Sequence, residues 1–130
     1  MSFVLVSTDL VIAIHDQIVE PNELQGMAGD KSLESALSRV ENRLAYGLID
    51  DIYGLAAAYA TAISQAHCFN DGNKRTSFQV LDIALNLNAV QVSWDIEEVG
   101  QKIIQLSQSL LDEQEFADWL KHISESGLVE

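Results

Sequence analysis

HCFNDGNKRTSFQVLDIALNL, residues 67–87, is the stretch that decides the fold of this 130-residue chain. Its first part, up to Asn73, is rich in turn-forming residues and contains the dipeptide Asp71-Gly72. Its second part carries apolar side chains on almost every helical face as far as Leu87. A helix that is apolar all round is normally buried. The stretch therefore predicts a turn that leads into a helix at the centre of a helical bundle.

Apolar residues recur at helical spacing on both sides of this stretch. The predicted N-terminal elements are a helix capped by Thr8 that runs to about Glu20, a loop over residues 21–30, a helix over about residues 31–43, a connector over residues 46–49 and a helix that begins at Asp50 or Asp51. The predicted C-terminal elements are a cap at Asn88, a briefly extended segment at residues 90–92, and two amphipathic helices whose apolar faces include Ile96 to Leu110 and Phe116 to Ile123. We therefore expect an all-α fold, a compact single-domain helical bundle of about six helices that spans residues 1–130.

Composition indicates a globular protein of the cytoplasm. Hydrophobic residues make up 48% of the chain, and Cys68 is its one cysteine, so an internal disulfide is impossible and a reducing compartment is favoured. The apolar N-terminus lacks the positive charge of a secretory signal and is interrupted by Asp9. No stretch approaches the roughly 18 apolar residues that a membrane span needs. We predict a cytoplasmic location and no membrane association.

The charge balance argues against nucleic-acid binding. With 20 acidic and 7 basic residues, the formal net charge is −13. Phosphate backbones would be repelled over most of such a surface. Two of the seven cations, Lys74 and Arg75, are nevertheless adjacent and fall in the first turn of the predicted central helix. A helix N-terminus already carries positive partial charge, so cations placed there indicate an anion-binding site. Gly72 fits this interpretation because it lets a ligand approach the backbone closely.

The neighbouring residues could complete a transfer site. His67 has the pKa range of a general base near neutral pH, and Asp71 is a suitable oxygen ligand for Mg²⁺ beside bound phosphates. Such a set would suffice for phosphoryl or nucleotidyl transfer. The same residues also fit an ordinary turn and helix start with solvated cations and a structural histidine. A zinc site built from the histidines and the cysteine has no recognisable spacing.

The stretch from His67 to Phe78 reads H-C-F-N-D-G-N-K-R-T-S-F and resembles the signature of the Fic/Doc family, H-P-F-x-D/E-G-N-G-R-x-x-R. Cys68 stands at the proline, Lys74 at the second glycine and Phe78 at the second arginine. The sequence Lys-Arg-Thr after the asparagine is typical of the Doc branch. The resemblance extends over about residues 10–92 and includes the stretches at residues 13–16, 33–37 and 39–46.

The resemblance implies a function and a role for each residue of the motif. His67 would be the general base, Asp71 would hold Mg²⁺, and Gly72, Asn73, Lys74 and Arg75 would bind the phosphates of ATP. Fic enzymes transfer AMP to a hydroxyl group. In Doc-type proteins the lysine reverses the nucleotide, so the γ-phosphoryl is transferred instead. The resemblance thus implies a serine/threonine protein kinase.

The same resemblance implies a toxin of a toxin–antitoxin pair, which inhibits translation by modifying a translation factor, with elongation factor Tu as the expected target. Its partner would be a Phd-like antitoxin whose C-terminal segment folds as a helix in a groove of the toxin. An internal inhibitory motif S/T-x-x-x-E-G/N is not matched, because Ser109 to Glu113 is followed by Gln114. Two alternatives stay open: a protein adenylyltransferase with the same base and metal, and a non-catalytic antitoxin-binding module.

Overall fold

The computed structural model describes residues 2–23, 33–66 and 72–128, with side chains up to residue 125. Within these ranges the regular elements are all helices: α1 (Thr8–Ile18), α2 (Leu33–Ala45), α3 (Ile52–Ala66), α4 (Asn73–Leu87), α5 (Ile96–Ser107) and α6 (Glu113–Leu128). The prediction of an all-α bundle of about six helices is confirmed. No helix in the described part of the chain is both long and apolar enough to cross a lipid bilayer.

The central helix is α3, whereas the sequence pattern predicted α4 in that position. α3 packs against α2, α4, α5 and α6. Its buried residues are Leu55, Ala56, Ala57, Ala58, Tyr59, Ala60, Ile63 and Ser64. Alanines on several faces let four neighbouring helices approach closely, because the distance between helix axes depends on the side chains at the contact. The run of alanines in α3 was therefore a better indicator of the central helix than the large apolar residues of α4.

α4 is the second layer of the core and lies between α1, α3 and α5. It buries Val80, Leu81 and Leu85, but Phe78 is only half-buried and Leu87 is 43% exposed. The prediction that this helix is buried at the centre of the bundle was therefore wrong. Ser77, by contrast, is buried, and its hydroxyl donates to the carbonyl of Ala60 at 2.9 Å. This hydrogen bond holds the N-terminal half of α4 against α3.

Several predicted boundaries shift by a residue or more. Ser7, rather than Thr8, caps α1, because its hydroxyl accepts from the N–H of Leu10. Residues 90–92, predicted to be briefly extended, belong to no regular element, and this does not contradict the prediction. Leu110 lies in the turn after α5 and is 74% exposed, so it does not extend the apolar face of that helix.

Asn88 caps the C-terminal end of α4, as predicted, and also binds the N-terminal segment. Its amide donates to the carbonyls of Ala84 and Val4, and its oxygen accepts from the N–H of Val4 at 2.7 Å. One side chain therefore closes the helix and holds the residues that precede α1.

Candidate active site

The N-terminus of α4 is built on a glycine. Gly72 occupies the N-cap position with φ of 82°, the left-handed region that L side chains rarely adopt. Its carbonyl accepts from the N–H of Thr76 at 2.9 Å and so begins the helix. A glycine has no side chain to cap the first turn, and no side-chain capping hydrogen bond forms there. The end of the helix dipole thus lies beside a backbone that a ligand can approach closely.

Two cationic side chains lie in the first turn of α4, as the sequence predicted. Lys74 and Arg75 are both exposed and lie in the first turn of α4, which contains no acidic residue. A carboxylate is the usual companion of a helix N-terminus, so two cations without one make the position locally unfavourable. Such a departure from local preference is expected where the chain binds an anion.

Arg75 is engaged by a carboxylate from outside its helix. Its Nη2 donates to Oε2 of Glu23 at 2.5 Å, and Glu23 lies in the segment that follows α1. The hydrogen bond from Arg75, followed by one from the backbone N–H of Glu20, holds the pKa of Glu23 below its usual range. Glu23 is therefore ionised at neutral pH and neutralises part of the positive charge at this helix end.

A buried histidine lies behind the glycine. His15 of α1 is fully buried, and its Nδ1 is 3.4 Å from a carboxylate oxygen of Asp16. A Cβ added at Gly72 would meet Cδ2 and Nε2 of this imidazole, each at 3.5 Å. The sequence analysis placed His15 in the family-like stretch at residues 13–16 and rejected it as a zinc ligand, but it did not predict this position behind Gly72. The available signal was a polar residue beside Ile14, on the apolar face of the first predicted helix.

Thr76 adds an unusual group to the first turns of α4. The residue is fully buried, and its hydroxyl has no hydrogen-bond partner among the described residues. Leaving a buried hydroxyl without a partner is unfavourable. Substitution of Thr76 therefore tests what this hydroxyl contributes to the stability of the protein.

The structure places some of the predicted site residues and not others. Gly72, Asn73, Lys74 and Arg75 lie together at the start of α4. His67, the predicted base, and Asp71, the predicted Mg²⁺ ligand, lie outside the described residues, so their roles stay predictions. Among the described residues, no three histidine, cysteine, aspartate or glutamate side chains come together in a way that could hold a metal ion.

An apolar groove of about 340 Å³ begins at the two cations and runs between α4 and α5, beside the end of α1. Its lining residues are Ile18, Lys74, Arg75, Phe78, Gln79, Ile96, Val99, Gly100, Ile103 and Ile104. Ile96 is 67% exposed and Ile104 is 38% exposed. An exposed row of large apolar residues next to a charged site is typical of a surface that another chain covers.

Comparison with known proteins agrees with this geometry. The family model described as the Fic/DOC family matches residues 5–85, which include α1 to α3 and most of α4. The chain belongs to the Fic/Doc family. A relative from Escherichia phage P1, named protein kinase doc, is 32% identical over 119 residues, which cover 91% of this chain and 94% of the relative.

Membership of the Fic/Doc family confirms the resemblance drawn from the motif. The predicted anion-binding residues begin α4, directly after the segment that connects α3 to α4. α3 and α4 form the most extensive helix pair of the bundle. The site is therefore supported by the two best-packed helices of this Fic/Doc protein.

Proposed function

We propose that this protein is a kinase that transfers the γ-phosphoryl group of ATP to a serine or threonine hydroxyl of a translation factor, and that it acts as the toxin of a toxin–antitoxin pair. The observation that carries the proposal is the start of α4, where Gly72, Lys74 and Arg75 combine a close backbone approach with two cations. The similarity to a protein named protein kinase doc over 91% of the chain supports phosphoryl transfer as the reaction.

The proposed chemistry assigns one task to each residue. His67 removes the proton from the target hydroxyl, whose oxygen then forms a bond to the γ-phosphorus while the bond to the β-phosphate oxygen breaks and ADP leaves. Lys74, Arg75 and the helix end neutralise the charge on the transferred group and the leaving group. Mg²⁺, when held by Asp71, would supply further charge neutralisation between the phosphates.

The experiment that tests this proposal is intact-mass analysis of a target after incubation with the purified protein and Mg-ATP. We expect elongation factor Tu to gain one phosphate, and the His67→Ala variant to leave it unmodified. Unmodified elongation factor Tu with the active protein would reject it as the target. Screening other translation factors by the same mass readout would then be needed to find the substrate.

The same measurement separates the alternative reaction. Transfer of AMP instead of phosphate would make the protein an adenylyltransferase and would overturn the argument from Lys74. A Lys74→Gly variant provides the internal comparison, because it restores the glycine of the Fic pattern. We expect this variant to lose phosphoryl transfer. Modification of no protein by any variant would leave antitoxin binding as the function.

We further propose that an antitoxin segment docks in the groove between α4 and α5. An amphipathic helix could bury its apolar face against Ile96, Val99 and Ile103 while its acidic residues meet Lys74 and Arg75. An Ile96→Asp variant should lose affinity for the antitoxin while keeping its thermal stability, since Ile96 is mostly exposed. Unchanged affinity, measured by calorimetry with the antitoxin segment, would place the partner elsewhere.

A further inference from the structure

The ion pair between Glu23 and Arg75 involves the guanidinium nitrogen closest to the anion site. Nη2 of Arg75 donates to Oε2 of Glu23 and also lies 3.6 Å from the position that a Cβ on Gly72 would occupy. The nitrogen that donates to the carboxylate is therefore the one that faces the N-cap of α4. A phosphate bound at this helix end would approach the same nitrogen.

The carboxylate of Glu23 is held in this position by its own segment. Its Oε1 accepts from the N–H of Glu20 at 2.8 Å, and the N–H of Glu23 donates to the carbonyl of Glu20 at 3.0 Å. Val19, which precedes Glu20, is buried, and its backbone N–H donates to the carbonyl of His15 at the end of α1. One oxygen of Glu23 is thus fixed by the backbone while the other is directed to Arg75.

A carboxylate and a phosphate make the same kind of contact with a guanidinium group, because both offer charged oxygens to its N–H donors. They also repel each other at short range. A nucleotide phosphate that reaches Nη2 of Arg75 must therefore displace the carboxylate or bind against its negative charge. The high net negative charge of the chain, −13, adds to that repulsion.

We propose that Glu23 belongs to the nucleotide site and that, before a nucleotide binds, its carboxylate takes the place of a phosphate oxygen on Arg75. Nucleotide binding exchanges one oxyanion for another at this guanidinium, which lowers the affinity for ATP below the value that Lys74 and Arg75 would otherwise give. This inference rests on the proposed role of Arg75 in binding phosphate. Glu23 therefore competes with the nucleotide for Arg75.

Calorimetric titration with Mg-ATP tests the competition. Because partly exposed ion pairs contribute modestly, we expect Glu23→Gln to bind ATP about two- to fivefold more tightly than the wild-type protein. Glu125→Gln is the matched control, since it removes the same charge from an exposed position on α6, which does not pack against α1 or α4 within the described structure. Its affinity for ATP should equal that of the wild type.

The double variant Glu23→Gln/Arg75→Ala shows whether the effect passes through the guanidinium. If Glu23 acts by competing for Arg75, the change at Glu23 should have no effect on affinity once Arg75 is absent. Should Glu23→Gln fail to fold, Glu23→Asp offers the same test, because the shorter side chain withdraws the carboxylate while keeping its charge. It too should bind ATP more tightly.

The possible outcomes separate this inference from the proposed function. Weaker binding by Glu23→Gln would show that Glu23 prepares Arg75 for phosphate, and unchanged binding would show that it has no part in the site; either overturns the inference while leaving the kinase assignment intact. Equal ATP affinity of the wild type and Arg75→Ala would instead remove Arg75 from the nucleotide site, and the inference would fall with it.

Discussion

The imidazole of His15 lies directly behind Gly72, where it would touch a Cβ at 3.5 Å without clashing with it. This relationship joins α1 to the start of α4, two helices that are separated by more than fifty residues in sequence. The distance is an ordinary van der Waals contact. The requirement for glycine at position 72 therefore comes from its backbone conformation and from ligand approach rather than from lack of space.

Gly72→Ala should accordingly cost conformational free energy. Placing an L side chain in the left-handed region costs about 1–2 kcal/mol, so we expect the free energy of unfolding to fall by that amount. Urea denaturation measures it. Gly100→Ala is the control: that glycine lies within α5 with open space around its Cβ position, and alanine there should stabilise the helix by about 0.5–1 kcal/mol. Equal effects at both positions would contradict the argument from φ.

The ion pair between Arg43 of α2 and Glu113 of α6 should stabilise the bundle only modestly. It is bidentate, with N–O distances of 3.1 and 2.5 Å, and its hydrogen bonds raise the pKa of Arg43. The arginine side chain is 41% exposed, however, and solvent screens such pairs. A double-mutant cycle with alanine should give a coupling of about 0.5–1 kcal/mol that weakens with added salt. Arg39→Ala, one turn earlier and exposed, should change stability little. A coupling energy that does not change with added salt would contradict the conclusion that solvent screens this ion pair.

Tyr59→Phe should destabilise the protein because it leaves a buried backbone donor without its acceptor. The hydroxyl of Tyr59 accepts from the N–H of Val6 at 3.1 Å, and an unpaired buried donor costs about 1–3 kcal/mol. Tyr53→Phe is the matched control, since its hydroxyl donates to the side chain of Ser124 rather than accepting from a backbone N–H, and it lies in a half-buried position. It should cost less. Thermal unfolding of the two variants compares them directly.

Burial also raises the pKa of Tyr59 above its usual value of 10.0. The unfolded chain therefore loses this proton first as the pH rises. The stability that comes from the raised pKa is present in full below the ordinary value and is lost as the pH rises towards the raised one. We expect the alkaline decline in the free energy of unfolding to be shallower in Tyr59→Phe. An identical decline would mean that Tyr59 ionises normally in the folded protein.

Thr76→Val should leave stability unchanged or raise it by about 1 kcal/mol. The hydroxyl is buried without a partner among the described residues, and a methyl group of similar size has no desolvation cost. A matched change at the neighbouring buried hydroxyl, Ser77→Ala, should destabilise, since it removes the bond to the carbonyl of Ala60. Clear destabilisation by Thr76→Val would show that its hydroxyl is bonded within the folded protein.

The sequence predicted the helices and the motif well because both depend on local patterns. The cations in the first turn of α4 and the cap at Asn88 needed only the order of neighbouring residues. The centre of the bundle was misplaced because burial depends on how many helices share a face, and the alanines of α3 carry no strong local signal. The contacts made by His15 and Glu23 were beyond prediction, since each pairs residues more than fifty positions apart.

The last helix supplies part of the core around the first half of the chain. α6 packs on α3, and its residues Phe116 and Leu120 are fully buried in the core. A nascent chain that has not yet produced these residues leaves one side of α3 exposed to solvent. We therefore expect the six-helix bundle to form during synthesis only after α6 has left the ribosome, because α3 stays incompletely buried until then.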